Sequence, residues 1–422
     1  MITKEEIKRK TLHRLERVYL VFKWVSLAII IGIVVAYVCI GFAWGMNHVT
    51  TFRLSHPFIL LALPIGGVFL TLLYNLVLKE PDSGTNAVIE AIQTKKHVPI
   101  VLAPLIFIST IITHLIGGSA GREGAALQIG GSIGNFIGSA FKQDEDFKHI
   151  MIMTGMSAAF SALFGTPMAA AVFAMEVISV GIMHYAALVP CVVSAIVARF
   201  VADYYGFKAE SYTIGKVPDL TVLSATKTTG FAILCGFVSI LFCLVLKYTR
   251  VLLNTYIKNA YIKALICGIS LLILTVLVGN QTYNGTGTNI IAACFEGGDI
   301  RPWTFLLKML FTALTLSGGY KGGEIVPTLF IGSTFGFAIA GLFNMPTGLF
   351  AAVGMGAVFC GVTNCPISSL LICFELFGYK AMPYYLIAIA FSYLTSGYGG
   401  LYSAQKIVYS KYRSNYINKK VH

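Results

Sequence analysis

Residues 118–138, GSAGREGAALQIGGSIGNFIG, place one acid and one base inside an otherwise apolar and glycine-rich stretch. Arg122 and Glu123 are adjacent, and glycines flank the pair. A charged carboxylate in apolar surroundings is unfavourable unless it is paired or hydrogen-bonded. Whether water or a lipid bilayer surrounds this stretch therefore decides how the acid is interpreted.

The composition is that of a membrane protein. The chain has 422 residues, of which 56% are hydrophobic and only 12% are charged, whereas about 25% of the residues in soluble domains are charged. Apolar runs long enough to cross a bilayer, roughly 17–25 residues, recur along the chain. Examples are residues 24–44, 57–78 and 229–247. We predict an all-α polytopic membrane protein.

Basic residues near both ends of the chain predict that the N- and C-termini lie in the cytoplasm. Residues 1–19 mix acids with bases and lack a small-residue cleavage site, so we expect an amphipathic surface helix rather than a signal peptide. We interpret the net charge of +13 as part of the same topology signal. Nucleic-acid binding is not expected, because the sequence has no basic groove with interleaved aromatic residues.

The sequence lacks the patterns that mark a metal site or a reactive cysteine pair. Its nine cysteines lie almost all in apolar stretches and form no CxxC pair. No HExxH motif or acidic metal cluster is present, so no metal or other cofactor is expected. A membrane-embedded enzyme acting on an anionic substrate remains a distant alternative, because it would need such groups or a nucleophile.

The segment around Glu123 recurs about 200 residues later as GGEIVPTLFIGSTFGFAIAG, residues 322–341. With one extra residue in the second copy, Glu123 aligns with Glu324. A second matching block follows each copy and ends in Glu176 and Glu375, for which we expect a role in helix packing or subunit contact. Two matches in the same order indicate two homologous halves. Repeated halves are common in transporters, where the ion site lies at their interface.

The repeat also predicts the domain organisation. The predicted units are a cytoplasmic amphipathic helix at 1–19, a first membrane repeat at 20–205, a linker at 206–219, a second membrane repeat at 220–400, and a final segment at 401–422 that combines the pore-lining start of a last helix with a cytoplasmic tail.

Each glycine-rich break leads into a new helical run, 125–141 in the first half and 327–342 in the second. The first N–H groups of a helix have no intrahelical partner and carry partial positive charge, so a helix start can bind an anion. A third start is predicted at 83–86 and extends to residue 92. Taken alone it is interpreted as an N-cap at a membrane boundary. Three such starts in one membrane protein instead indicate convergence on an anion.

Two interpretations of Glu123 follow. A carboxylate at a helix start can itself occupy the anion site, and it loses that attraction when it is protonated. An intramembrane acid is a functional candidate by default, so we expect Glu123 to act as a gate and as a proton carrier. The alternative is a permanent capping glutamate paired with Arg122.

These motifs resemble the CLC family of chloride channels and anion/proton antiporters. Residues 121–124, Gly-Arg-Glu-Gly, match its gating element, and residues 84–86 stand where the family has an anion-coordinating turn. Residues 323–327 match its G-x-F-x-P element, and Tyr402 matches its central tyrosine. The resemblance covers roughly residues 20–415. It implies two inverted repeats with tilted and broken helices, a pore in each subunit, and a homodimer.

The same resemblance assigns the site. It implies gating or proton transfer at Glu123 and Glu324, and anion binding at Thr85, Gly121, Arg122, Gly124, Gly323, Ile325, Val326 and Tyr402.

Four departures from the chloride-transporting members indicate a branch of the family. Thr85 replaces a serine, Ile325 replaces a phenylalanine, and Glu324 precedes it. Val177 stands where chloride/proton antiporters carry an internal proton-transfer glutamate. This combination looks like the fluoride-exporting branch. We therefore expect a fluoride/proton antiporter of the cell membrane; a chloride/proton antiporter or chloride channel of the same fold is the alternative.

Overall fold

A computed structural model describes residues 4–78, 83–94, 96–141 and 144–421, with side chains from residue 14 onward except residue 17. These residues form sixteen α-helices and three short strands. A bilayer offers the backbone no hydrogen-bond partners, so apolar runs form helices, which satisfy their own N–H and C=O groups.

The first half contains eight helices and one strand. They are α1 (Lys4–Ser55), α2 (Leu63–Val77), α3 (Thr85–Gln93), α4 (Leu102–Leu115), α5 (Glu123–Ala140), α6 (Glu145–Phe164), α7 (Pro167–Glu176), β1 (Ser179–Val180) and α8 (Leu188–Tyr204). Short 3-10 turns precede α2 and α8 at Pro57–Ala62 and Tyr185–Ala187.

The second half contains eight further helices and two strands. They are α9 (Val222–Tyr256), α10 (Ala260–Val278), α11 (Thr288–Glu296), α12 (Thr304–Ser317), α13 (Ile325–Ile339), α14 (Thr347–Thr363), α15 (Pro366–Phe377), α16 (Met382–Thr395), β2 (Lys406–Tyr409) and β3 (Tyr416–Lys420).

Helices recur in the same order in the two halves. The run α3 to α7 in the first half corresponds to α11 to α15 in the second. The first two members have equal lengths in both runs, with nine residues in α3 and α11 and fourteen in α4 and α12. This recurrence supports the internal repeat and extends it to helices that the sequence comparison does not align.

Six helical segments of the described chain are long and apolar enough to cross a membrane. They are Arg14–Ser55, Pro57–Val77, Glu145–Phe164, Tyr185–Tyr204, Val222–Tyr256 and Ala260–Val278. Several others are too short. The fifteen residues of α13 extend about 23 Å, less than the roughly 30 Å of bilayer hydrocarbon. Broken helices of this kind place helix ends within the membrane.

Helix pairs in the two halves pack at equivalent glycines. Gly130 of α5 lies against the backbone of Gly155 in α6, and Gly332 of α13 lies against the backbone of Gly354 in α14. A side chain at any of these positions would meet main-chain atoms. Small residues of this kind let membrane helices approach closely, so α5 packs closely on α6 and α13 packs closely on α14.

Glu176 and Glu375 each cap the start of a helix in the other half of the chain. Glu176, at the end of α7, accepts hydrogen bonds from the backbone N–H groups of Ile367 (3.1 Å) and Ser368 (2.8 Å) at the start of α15. Glu375 accepts hydrogen bonds from the N–H groups of Met168 and Ala169 at the start of α7, both at 2.9 Å. These contacts agree with the predicted role in helix packing.

The prediction that a last helix begins within 401–422 is wrong. Residues Lys406–Tyr409 form β2, which pairs in parallel with β1 and antiparallel with β3. The Gln405 side chain anchors the segment by donating to the backbone oxygens of Val177 and Thr363, both at 2.9 Å. Ile, Val and Tyr of the sequence K-I-V-Y favour strands over helix. Pairing with β1 and β3 then supplies the backbone hydrogen bonds of this segment.

The N-terminal helix is longer than predicted. A single helix, α1, extends from Lys4 to Ser55 and joins the predicted surface segment to the first membrane run without a break. Residues 1–3 of the predicted 1–19 helix lie outside the described residues. The amphipathic character and the cytoplasmic position of this segment remain predictions.

Candidate functional site

Two backbone hydrogen bonds join the halves of the chain at the predicted site. The Gly121 N–H donates to the Gly323 carbonyl (2.7 Å), and the Gly323 N–H donates to the Gly121 carbonyl (2.8 Å). This antiparallel bridge lies immediately before the first residues of α5 and α13. The two repeated glycine-rich segments therefore bring two helix N-termini together.

Only glycine fits where these two segments touch. A Cβ atom built on Gly124 would lie 2.7 Å from Gly323 Cα, and one built on Gly323 would lie 2.8 Å from Gly124 Cα. Both distances are shorter than real Cβ contacts. The glycines allow a close approach of the two backbones.

The Glu123 carboxylate folds back over the start of its own helix. Its side chain is 1% exposed, one oxygen lies 3.1 Å from Arg122 Nε, and the other accepts a hydrogen bond from the Arg122 backbone N–H at 3.0 Å. A negative charge at this end of a helix is stabilised by the helix dipole. In this arrangement the carboxylate occupies a place that an anion could take.

Arg122 has a second acidic partner that the sequence analysis missed. One of its terminal nitrogens donates to Glu210 Oε1 at 2.7 Å, and Glu210 lies in the predicted linker. Tyr212 donates to the other carboxylate oxygen of Glu210 at 3.4 Å. The only sequence signal was an isolated acid in a polar segment. The Arg122 guanidinium is thus held by two carboxylates, and its predicted contact with an anion remains a prediction.

A third helix start, that of α3, reaches the same junction. Gly84 has φ +60°, a conformation that favours glycine, and turns the chain into the helix. Thr85 is 4% exposed. Its hydroxyl oxygen lies 3.2 Å from a Cβ position built on Gly124, and a carboxylate oxygen of Glu324 lies 3.5 Å from the same position. Thr85, Gly124 and Glu324 therefore surround one point.

Tyr402 places a hydroxyl in the same region. The side chain is 1% exposed, and its hydroxyl has no hydrogen-bond partner among the described residues. It interacts electrostatically with Glu324. A buried polar group without a partner costs roughly 1–3 kcal/mol. An anion at this position would supply the missing acceptor.

Asn86 was also missed as a site-forming residue. Its side-chain oxygen accepts a hydrogen bond from the Ala404 backbone N–H at 2.9 Å. This bond ties the first turn of α3 to the segment that carries Tyr402. Asn86 therefore fixes the position of two candidate anion donors relative to each other.

The structure brings the predicted site residues into one region. Thr85, Gly121, Glu123, Gly124, Gly323 and Glu324 lie at the glycine junction, and Arg122 pairs with Glu123 beside it. Ile325 and Val326 form the buried first turn of α13, and Tyr402 is near enough to Glu324 to interact with it electrostatically. Their roles in binding and gating are not tested by this proximity. The arrangement can hold a small anion with backbone N–H groups and hydroxyls, next to two acids that can take up protons.

Comparison with known proteins identifies relatives along most of the chain. Residues 66–397 match the family model described as voltage gated chloride channel. A chloride/fluoride channel protein of Pseudomonas syringae pv. tomato is 34% identical over 397 residues, which are 92% of this chain and 88% of that protein. An H(+)/Cl(-) exchange transporter of Vibrio cholerae is 27% identical over 276 residues, which are 61% of this chain and 58% of that protein.

Solved structures share the fold. A CLC-type fluoride/proton antiporter superposes with a TM-score of 0.85 at 32% identity, over 94% of this chain and 97% of that one. A slow cyanobacterial Cl-/H+ antiporter superposes with a TM-score of 0.76 at 21% identity, over 88% of this chain and 94% of that one. Because the sequence identity to the cyanobacterial antiporter is only 21%, this second similarity shows the fold alone.

Proposed function

The chain belongs to the voltage gated chloride channel family, and from this premise we propose that it is a fluoride/proton antiporter that exports F⁻ from the cytoplasm in exchange for H⁺. The predicted family and the CLC-type fold are confirmed. The similar proteins reported above are named as a channel, an exchange transporter and antiporters, and we propose that this chain, too, is a transporter and not an enzyme.

The observation that carries the proposal is the pair of acids at the junction. Glu123 lies at the start of α5, and Glu324 immediately precedes the repeat-equivalent helix α13. A Glu324 oxygen and the Thr85 hydroxyl oxygen lie 3.5 and 3.2 Å from the same Cβ position built on Gly124. The 34% identical relative is named for chloride and fluoride, and the 32% identical solved structure is that of a fluoride/proton antiporter.

In the proposed mechanism the anion and the Glu123 carboxylate compete for the same helix end. When Glu123 is ionised it remains over the start of α5 and pairs with Arg122. When it takes up a proton its attraction to the helix dipole and to Arg122 is lost, and F⁻ replaces it. The proton then moves inward as F⁻ moves outward. Glu324 is a second switchable carboxyl on the same path.

The donors at the junction suit a small anion. Fluoride is strongly hydrated, so its binding requires several short hydrogen bonds to replace water. We assign this task to the backbone N–H groups of Gly124, Glu324, Ile325 and Val326 and to the hydroxyls of Thr85 and Tyr402. Hydrogen bonds to a charged partner are roughly twice as strong as neutral ones, which offsets part of the dehydration.

We place the protein in the cell membrane with both termini in the cytoplasm, as a homodimer in which each subunit has its own site. The basic residues near both ends support this orientation. The dimer is the assembly that the family resemblance implies. Cross-linking of the purified protein in detergent tests the dimer, and labelling of a terminal tag in intact cells tests the orientation.

A chloride/proton antiporter is the second candidate, because the 34% identical relative is named for both anions. Purified protein in liposomes distinguishes the two. We expect an outward gradient of fluoride, but not of chloride, to drive proton uptake into the vesicles. Proton uptake driven equally by both anions would favour the second candidate. Anion efflux without proton movement would contradict both and indicate a channel.

A further inference from the structure

One arginine at the junction is shared by two acids from different parts of the chain. Arg122 Nε donates to an oxygen of Glu123 at 3.1 Å, and a terminal nitrogen of the same guanidinium donates to Glu210 at 2.7 Å. Because the two carboxylates use different nitrogens, the planar guanidinium pairs with both of them at once. The Arg122 side chain is only 10% exposed, so dissolved salt screens these pairs less than it screens pairs on the surface.

Contacts with the second half of the chain hold Glu210 in this place. Two residues further on, the Tyr212 N–H donates to the Leu376 carbonyl of α15 at 2.9 Å, and the Tyr212 ring stacks on Phe295 of α11 with 5.0 Å between the ring centres. The Tyr212 hydroxyl also donates to Glu210, at 3.4 Å. The linker is therefore fixed to the second half, while its carboxylate reaches Arg122 in the first.

The charges of this group do not balance when both acids are ionised. One guanidinium then faces two carboxylates, which leaves one excess negative charge, and the uptake of one proton removes that excess. In the proposed mechanism this proton goes to Glu123, which is 1% exposed. Glu210 is 25% exposed, so water can still stabilise its charge while it remains paired with Arg122.

Glu210 acts on Glu123 in one direction by two routes. Its negative charge offsets part of the attraction between Arg122 and Glu123, and it repels the ionised Glu123 carboxylate as a like charge. Both effects disfavour the ionised form of Glu123 relative to the protonated form. Glu123 therefore takes up its proton at a higher pH than it would if Arg122 paired with Glu123 alone.

Other ionisable groups also lie near this pair. Among the described residues they are Tyr212 on the linker, Glu324 at the glycine junction, and His114 of α4, which interacts electrostatically with Arg122. These three groups are the same in the wild type and in any variant of Glu210. A comparison of the two therefore isolates the contribution of the Glu210 charge.

We propose that Glu210 is a positioning residue for proton uptake, which acts through Arg122 and sets the pH at which Glu123 leaves the start of α5. Glu210 offsets part of the positive charge that holds Glu123, and it stays paired with Arg122 after Glu123 has left. This inference rests on the proposed function, in which Glu123 takes up the proton.

The pH profile of fluoride-driven proton uptake tests this role. It is recorded with NaF gradients on the purified full-length protein in liposomes, over about pH 5.5–8, and the rate in protein-free liposomes is subtracted to remove the diffusion of HF. Glu210→Gln removes the charge and keeps the size of the side chain. Arg122 then pairs with Glu123 alone, so we expect the pH of half-maximal rate to fall by about 0.5–1 pH unit.

Three further variants separate the charge of Glu210 from other effects of its replacement. Glu210→Asp keeps the charge and should leave the pH of half-maximal rate within about 0.3 pH unit of the wild type. Asp203→Asn removes the carboxylate partner of Arg199, an ion pair that lies just before the linker, and should cause no shift. If Glu210→Gln does not fold, Glu210→Ala repeats the loss of charge, because water can fill the place of this partly exposed side chain.

The outcomes distinguish the role of Glu210 from the proposed function. An unchanged or higher pH of half-maximal rate in the uncharged Glu210 variants would overturn the proposal and leave the Arg122–Glu210 pair as a structural tie of the linker. An equal fall in Asp203→Asn would also overturn it, since any lost negative charge near the linker would then act alike. A wild type that moves no protons with fluoride would instead contradict the proposed function itself.

Discussion

At the residue scale the decisive group is the Glu123 carboxylate. It is buried and pairs with Arg122, which also pairs with Glu210. Removing one partner of a buried ion pair normally leaves an uncompensated charge, at a cost of several kcal/mol. In the proposed mechanism, Glu210 would keep Arg122 paired when Glu123 takes up a proton. The second carboxylate would therefore lower the free-energy cost of releasing Glu123 from the helix start.

The Tyr402 hydroxyl gives a prediction at the same scale. Because this buried group has no hydrogen-bond partner among the residues that the structure describes, Tyr402→Phe should leave the thermal stability within about 0.5 kcal/mol of the wild type. It should weaken fluoride binding about fivefold to tenfold, the loss of one hydrogen bond of about 1 kcal/mol. Calorimetric titration with NaF and thermal unfolding measure the two effects.

Tyr320→Phe is the control for this prediction. The Tyr320 hydroxyl donates to the Leu63 backbone oxygen at 2.8 Å, so its removal should destabilise the protein by about 1 kcal/mol without changing fluoride affinity. If both tyrosine variants lost stability and kept fluoride affinity, Tyr402 would be a structural residue and not an anion ligand.

At the element scale the site depends on three helix starts and the glycines that precede them. The sequence predicts these starts to within two residues, because glycine, proline and a switch to apolar periodicity mark them. Both α5 and α13 begin two residues earlier than predicted. The shift makes Glu123 the first residue of α5, where it interacts most strongly with the helix dipole.

The contact between Gly124 and Gly323 gives a prediction at this scale. Gly124→Ala would place a methyl group 2.7 Å from Gly323 Cα, which forces the two helix starts apart. We expect a loss of about 1–3 kcal/mol of stability and a fluoride affinity at least tenfold lower. Gly41→Ala is the control, since nothing lies within 4 Å of its Cβ position. Unchanged fluoride affinity in Gly124→Ala would show that the anion does not bind at the glycine junction.

The cap that Glu375 forms at the start of α7 gives a second prediction at the element scale. Glu375→Gln removes the charge that caps the start of α7, and we expect a loss of about 1 kcal/mol of stability. Transport per folded protein should stay unchanged, because this carboxylate lies outside the junction. Glu90→Gln, which alters a partly exposed pair with Lys96, should cost little. A selective loss of proton coupling in Glu375→Gln would contradict the structural role.

At the scale of the whole molecule, a pair of hydrogen bonds between Gly121 and Gly323 joins the two repeats at the candidate site. The sequence predicts both segments and the fold class, because both repeats contain the same glycine and acid pattern. It does not predict the pairing of Arg122 with Glu210, since an isolated acid in a linker has no periodic pattern that would place it. Such contacts depend on the path of the linker across the fold.

The C-terminal segment shows a second limit of prediction from the sequence. The family resemblance implies a helix after Tyr402, whereas the chain forms β2 and β3 there. The local sequence favours strands, and a partner strand, β1, is available from a distant part of the chain. Ser179 of β1 pairs with Lys406 of β2, and the two residues are 227 positions apart in the sequence. Strand propensity alone could not identify so distant a partner.

Proton coupling through Glu123 is the central claim for the whole molecule, and simultaneous fluoride and pH electrode recordings from liposomes test it most directly. For the wild type, an outward fluoride gradient should drive protons into the vesicles. Glu123→Gln should abolish this proton movement, while Glu296→Gln, which alters an exposed glutamate at the end of α11, should not affect it. Undiminished fluoride-driven proton uptake in Glu123→Gln would contradict the proposed gating and proton-carrying role of Glu123.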